Sequence, residues 1–188
     1  MPLSEPAERE LLHLRDISVR GYHRRDGLFD IEAEIADSKT YGFSIAGRAL
    51  EPGDKLHNML VRMTVDEHLT IVACEAVTLG GPFATCGGGA ETFGQLVGLS
   101  IRSGFLRDAN ARIGGVNGCT HIRELLQQMA TVAFQTSFVL PSRQKSDAAA
   151  AARMIDSCHA YAADGPVVRQ RWPERYTGPD RATAATAD

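Results

Sequence analysis

The residues best suited to chemistry stand close together at Asn117-Gly118-Cys119-Thr120-His121. There an Asn-Gly turn delivers a thiol and an imidazole to the start of an apolar stretch with helical periodicity. A thiol at a helix N-terminus sits beside unpaired N–H groups and the positive end of the helix dipole, so it ionises more readily and becomes a better metal ligand or nucleophile. An isolated Cys-x-His is equally the pattern of a small buried hydrophobe beside a surface residue, so a metal site needs further ligands. Two stand at comparable chain positions: His57, immediately before an apolar strand, and Cys86, in a glycine-rich loop just after the next long strand. Cys86, Cys119, His57 and His121 together make a set of two thiolates and one or two imidazoles. Such a set suits zinc or iron in tetrahedral geometry, with room for one open position.

A second group of polar residues lies near the N-terminus. Ile17, Val19 and Gly21 alternate with Ser18, Arg20 and Tyr22; after residues 24–28, Phe29, Ile31, Ala33 and Ile35 alternate with Asp30, Glu32 and Glu34. This is a β-hairpin pattern, and Asp26-Gly27 is the favoured pair for a two-residue type I′ turn. That loop length sets Tyr22 opposite Ile31 and Arg20 opposite Ala33, which puts a phenol and a guanidinium on the apolar face. There Arg20 either snorkels or binds substrate, and Tyr22 either packs with its hydroxyl at the rim or lines a pocket. On the other face Asp30 and Glu32 are a candidate pair for proton transfer, and equally the ordinary acids of a solvated strand face. Tyr22, Asp30 and Glu32 are thus the candidate catalytic groups, with Arg20 for substrate binding.

The elements that must position these groups run strands first and helices afterwards. Further strands are expected at residues 41–46, 59–65 and 69–79, the last two joined by the turn Asp66-Glu67-His68, with Cys74 a packing residue in mid-strand. Beyond Gly80-Gly81-Pro82 the pattern changes to a glycine-rich loop around Cys86, an apolar segment at Phe93, Leu96 and Val97, and helices over 104–113 and 120–134. In the last, Ile122, Leu126, Met129 and Ala133 fall on one stripe. Residues 145–161 are alanine-rich and predict a helix, with Cys158-His159 on its surface, and the tail beyond Pro173 has a disordered composition. The fold class is therefore α+β, an antiparallel sheet packed against C-terminal helices. Residues 1–140 form the metal-binding domain, 141–172 a helical extension and 173–188 a tail.

Composition bounds the alternatives. The chain has 188 residues, 44% hydrophobic and 23% charged, enough for one well-packed domain and hardly for two. With a net charge of -3 and 20 Lys and Arg spread along the chain, there is no basic stripe and no stacking platform for nucleic acid. Neither the P-loop lysine nor a dinucleotide fingerprint accompanies the glycines at 87–89, which argues against a nucleotide. The N-terminus lacks the basic and apolar regions of a secretory signal, and no run is long enough to cross a bilayer. A cytoplasmic protein with reduced cysteines is the expectation, which favours metal binding or plain burial over disulfides. Homo-oligomerisation stays open.

Several segments are familiar together. Gly21-Tyr22, Arg25-Asp26-Gly27-Leu28, Asp30-Ile31-Glu32, His57-Asn58-Met59, Leu96-Val97-Gly98-Leu99 and Gly118-Cys119-Thr120-His121 resemble a bacterial family catalogued as domain of unknown function 2889, over about residues 12–135. The family pattern carries Asp where this chain has Asn58, and proline where it has Gly87. A more distant resemblance is to the U-type iron-sulfur cluster scaffold proteins, and it rests on residues 57–65, 70–76, Cys86 and Cys119. It implies that His57, Cys86 and Cys119 stand where the three cluster cysteines of those proteins stand. Met59 replaces their aspartate, and the proline-bearing segment before their last cysteine is missing.

Imidazole in place of thiolate lowers the negative charge of a site and makes a bound ion a stronger Lewis acid, which favours catalysis over storage. A divalent zinc or iron ion held by His57, Cys86 and Cys119 could polarise a carbonyl, with His121 either a fourth ligand or a free base. The function expected is a metal-dependent lyase or hydrolase acting on a small organic, even aromatic, molecule, with Tyr22 and Arg20 lining its pocket. The alternatives are a non-enzymatic metal or iron-sulfur carrier, and an interaction module whose cysteines and histidines are unconnected.

Overall fold

Alternating apolar and polar residues build the sheet of this computed structural model, which describes residues 3–140 and 154–179. β1 (His13–His23) and β2 (Phe29–Lys39) form the first hairpin, β3 (Phe43–Ile45) and β4 (Arg48–Leu50) a small separate one, and β5 (Lys55–Val65) and β6 (Ile71–Gly80) the second long pair. The four long strands lie antiparallel in the order β1-β2-β5-β6. The helical elements follow: α1 (Gly88–Glu91), α2 (Phe105–Ile113), α3 (Thr120–Thr136) and α4 (Pro166–Arg171). This is the α+β arrangement expected. The described residues divide into two compact units between Ser137 and Phe138. Among them, no helix is long and apolar enough to cross a membrane.

One face of the sheet carries the core of the first unit. Phe29, Ile31, Ala33 and Ile35 of β2 and Met59, Val61, Met63 and Val65 of β5 are buried on it, and Ile122, Leu125, Leu126, Met129 and Ala133 of α3 are buried too. These helix positions repeat at the three-to-four residue spacing of a single stripe, so α3 lies with its apolar side on β1, β2 and β5. Close approach at its far end requires a glycine. A Cβ on Gly21 of β1 would lie 1.8 Å from Thr136 Oγ1.

The first hairpin differs from expectation by one residue. Arg24 N donates to Leu28 O (2.9 Å) and Gly27 N to Arg24 O (3.2 Å), with Gly27 at φ +86°. The loop therefore takes in Arg25 as well as Asp26 and Gly27, with the glycine in the left-handed position that a three-residue loop demands. One extra loop residue shifts the register by one, so Arg20 pairs with Glu32 and Tyr22 with Asp30. A one-residue shift moves side chains to the other face. Arg20 and Tyr22 accordingly share the outer face with Asp30 and Glu32, and the apolar face of β1 is formed by Ile17, Val19 and Gly21.

Two further boundaries move. β5 starts at Lys55, so His57 lies within a strand rather than before one, with its side chain on the buried face beside Met59. The glycine-rich loop is helical: a 3-10 turn over Ala84–Gly87 holds Cys86, α1 follows directly, and a second 3-10 turn over Thr92–Leu96 buries Phe93 and Leu96.

In the second unit, Val168 and Trp172 form a small core with Met154, Ile155 and Tyr161. Pro166 starts α4, where its missing N–H costs nothing. Of the helix expected over 145–161, residues 145–153 lie outside the described residues; from Met154 the chain forms turns and a 3-10 helix at His159–Tyr161. The start of the tail, Pro173–Arg175, is a 3-10 turn, and residues 180–188 lie outside the described residues.

Candidate functional site

Polar residues on a buried sheet face need partners, and here they find one another. At one end of the sheet Arg15, Asp37 and His57 are neighbours across β1, β2 and β5. Asp37 is 1% exposed and His57 9%. Arg15 grips the carboxylate with both arms of its guanidinium, Nε to Oδ1 at 2.7 Å and Nη2 to Oδ2 at 2.8 Å. His57 Nδ1 lies 2.9 Å from Oδ2, and His13 Nε2 lies 3.4 Å from Oδ1. The remaining arm of Arg15 donates to Glu124 Oε2 of α3 at 2.5 Å, tying the sheet to the helix.

Helix α3 brings the other half of the site. Cys119 is its N-cap, in extended backbone conformation, and His121 lies in its first turn. The His121 ring centroid is 3.8 Å from that of His57, with the planes tilted by 30°. Cys119 Sγ is 3.9 Å from His121 Nδ1. Glycines let the backbones crowd around this end: a Cβ on Gly89 would lie 3.0 Å from Cys119 N, and one on Gly81 would lie 2.9 Å from the Cβ of Cys86.

Electrostatics fix the charge states. Burial pushes the Asp37 carboxyl up, but hydrogen bonds from Arg15 and His57, together with the Arg15 charge, outweigh it and hold the pKa at about 2. The hydrogen bond to Asp37 in turn raises the Arg15 pKa. His121 is lowered, by burial first and then by His57 and Arg15, against the opposing pull of Asp37 and Glu124. It is thus a neutral imidazole near neutral pH, with a lone pair to offer.

Of the residues expected to form a site, the structure brings His57 and His121 together and sets Cys119 beside His121. Among the described residues, the side chains able to share one ion are Asp37, His57 and His121, whose ligand atoms lie within 4.8 Å of one another. Bond lengths of about 2.0–2.3 Å place the ligand atoms of one tetrahedral ion roughly 3.3–3.8 Å apart, closer than the 4.8 Å span of these three. Cys86 is not a member of this group. Its place is the 3-10 turn after β6, against Gly81.

The other four expected residues are on the far side of the sheet. Arg20, Glu32, Arg62 and Glu75 form one row of alternating charge across four strands. In it Arg62 pairs with Glu75 and lies 3.8 Å from Glu32. Tyr22, Asp30 and Thr64 form the next row, where Thr64 Oγ1 donates to Asp30 Oδ1 at 2.7 Å. A cleft of about 300 Å³ lies on this outer face, lined by residues including Arg20, Glu32, Leu60 and Arg62. The sheet itself separates Arg20, Tyr22, Asp30 and Glu32 from His57, so the two expected halves do not make one pocket.

Asp37 and Arg15 were not among the expected site residues, although a signal for both exists. The alternation Phe29, Ile31, Ala33, Ile35 continues to Asp37, and Ile17 and Val19 extend backwards to Arg15, which places opposite charges on one apolar face.

A family model matches residues 13–135, from the first residue of β1 to the last turn of α3. The chain belongs to that family, described as protein of unknown function (DUF2889). The DUF2889 segment holds the whole sheet and α1 to α3, and with them Arg15, Asp37, His57, Cys119 and His121. No curated protein and no solved structure matches the chain.

Proposed function

We propose that the protein is a metal-dependent enzyme, a lyase acting on a small organic molecule, with a divalent ion held by His57 and His121 where Asp37 and Cys119 flank them. The observation that supports this most is the meeting of His57 and His121, ring centroids 3.8 Å apart, beside the buried Asp37 at one end of the sheet. The donor types suit zinc or iron, and two neutral imidazoles leave an ion strongly electrophilic. Bound there, it would supply Lewis acidity to a substrate oxygen. The chain supplies the rest. Arg15 and Asp37 hold His57 in place, the first turn of α3 presents His121, and burial keeps bulk water from His57.

Elemental analysis of protein purified without a histidine tag tests this reading. We expect about one zinc or iron per chain, lost in His57→Ala and His121→Ala and retained in Cys74→Ala and Cys158→Ala. Metal-free protein whose melting temperature is unmoved by chelator or by added zinc would overturn it. A second reading rests on the 3.9 Å approach of Cys119 Sγ to His121 Nδ1, in which His121 would serve as base to a thiol nucleophile. Alkylation of Cys119 that abolishes activity while chelator leaves it intact would favour that one.

A further inference from the structure

The Asp37 oxygen that meets His57 has no acceptor capacity left. A carboxylate offers about four acceptor positions. On Oδ2 of Asp37 both positions are filled, by Arg15 Nη2 at 2.8 Å and His57 Nδ1 at 2.9 Å; Oδ1 accepts from Arg15 Nε at 2.7 Å, with His13 Nε2 3.4 Å away. For Asp37 Oδ2 to ligate an ion, one arm of the Arg15 fork or the His57 bond would have to break in surroundings where Asp37 is 1% exposed. A donor left unpaired there is costly. His57 meets the carboxylate through Nδ1 rather than Nε2, and a carboxylate paired with guanidinium can only accept.

We propose that Asp37, anchored by Arg15, is a positioning residue rather than an ion ligand: it holds the hydrogen of His57 on Nδ1 and so makes Nε2 the atom that meets an ion or substrate. This deepens the metal reading and rests on it for the ion, whereas the tautomer of His57 stands independently of any ion. A metal-binding histidine commonly donates its other N–H to a carboxylate, and loss of such an outer partner weakens metal affinity by about 10–100-fold, far less than loss of a ligand. Here the outer partner is itself fixed by a bidentate guanidinium on the next strand, so β1 reaches the ion site two steps removed.

The test is a long-range proton–nitrogen NMR spectrum of metal-free protein labelled with nitrogen-15 in histidine, joined to zinc titration against a competing chelator. We expect His57 to carry its hydrogen on Nδ1 in the wild type. In Asp37→Asn that preference should be lost and zinc should bind about 10–100-fold more weakly. Arg15→Lys, which keeps the charge and loses the fork, should weaken zinc less than Asp37→Asn. A wild-type His57 protonated on Nε2 would overturn the proposal, as would an Asp37→Asn protein that loses zinc as completely as His57→Ala, since that marks a ligand. If Asp37→Asn does not fold, the wild-type spectrum and the Arg15→Lys titration decide. A wild type that binds no zinc or iron refutes the metal reading, and the spectrum still judges the role of Asp37.

Discussion

Asp37 sets how the protein responds to acid. Its pKa is about 2 in the fold against an ordinary value of 3.8. A carboxyl depressed by folding contributes stability that is complete above the unfolded pKa and is lost as pH falls through the folded one. The difference corresponds to about 2 kcal/mol, present at pH 6 and gone near pH 2. His121 acts in the same sense at higher pH, because its lowered pKa means the fold resists protonation as pH drops below the ordinary value of 6.5. Urea midpoints of metal-free protein should therefore fall in two stages on acidification, and His121→Gln should remove the upper one. Asp37→Ala removes the buried partner of an Arg15 whose side chain is itself 33% exposed and keeps its bond to Glu124, so about 2 kcal/mol is expected by urea unfolding at pH 7. Much of this chemistry was legible in the sequence. His57, Cys119 and His121 announce themselves by type and spacing, whereas Asp37 and Arg15 are ordinary charges whose meaning appears only when their strands are extended far enough to place them on the apolar face.

Helix α3 and strand β1 meet at Gly21, and the fit there is tight enough to measure. In Gly21→Ala the new Cβ would fall 1.8 Å from Thr136 Oγ1, so the last turn of α3 must shift. We expect a loss of about 1–3 kcal/mol, the usual cost of overpacking. Thr136→Ala should recover part of it, because the hydroxyl is the nearest atom while the Cβ of Thr136 stays 2.9 Å away. Strictly additive losses in the double variant would show that the two do not compete for the same space. At this scale the sequence revealed the strands, the α3 stripe and the hairpin, but not its register. Asp26-Gly27 serves a two-residue and a three-residue loop equally well, and only the hydrogen bonds of Arg24 decide between them. That single residue moved Arg20 and Tyr22 from the core face to the outer one. The helical turn at Cys86 was hidden for a related reason, since Gly87, Gly88 and Gly89 read as a loop wherever packing does not dictate otherwise.

The two compact units have separate cores, which makes their behaviour as folding units testable. A fragment of residues 1–137 contains the sheet, α1 to α3 and every residue of the candidate site, and should unfold cooperatively in urea. A fragment lacking a cooperative transition would show that residues 138–188 are required for the fold. The single tryptophan of the chain, Trp172, lies in the core of the second unit. Its emission therefore follows that unit, while circular dichroism weights the first. Cys74 offers the complementary probe. Burial and the neighbouring Glu75 push its thiol up to about 12, and it sits on β6 opposite Met63 of β5. At pH 8 its thiolate fraction is on the order of one part in ten thousand, so a thiol-selective reagent at that pH modifies this half-buried edge-strand residue slowly, and faster when the packing over the sheet opens. The slow phase of labelling is then a clock, and its rate rises with how often that packing opens while the protein stands in native buffer.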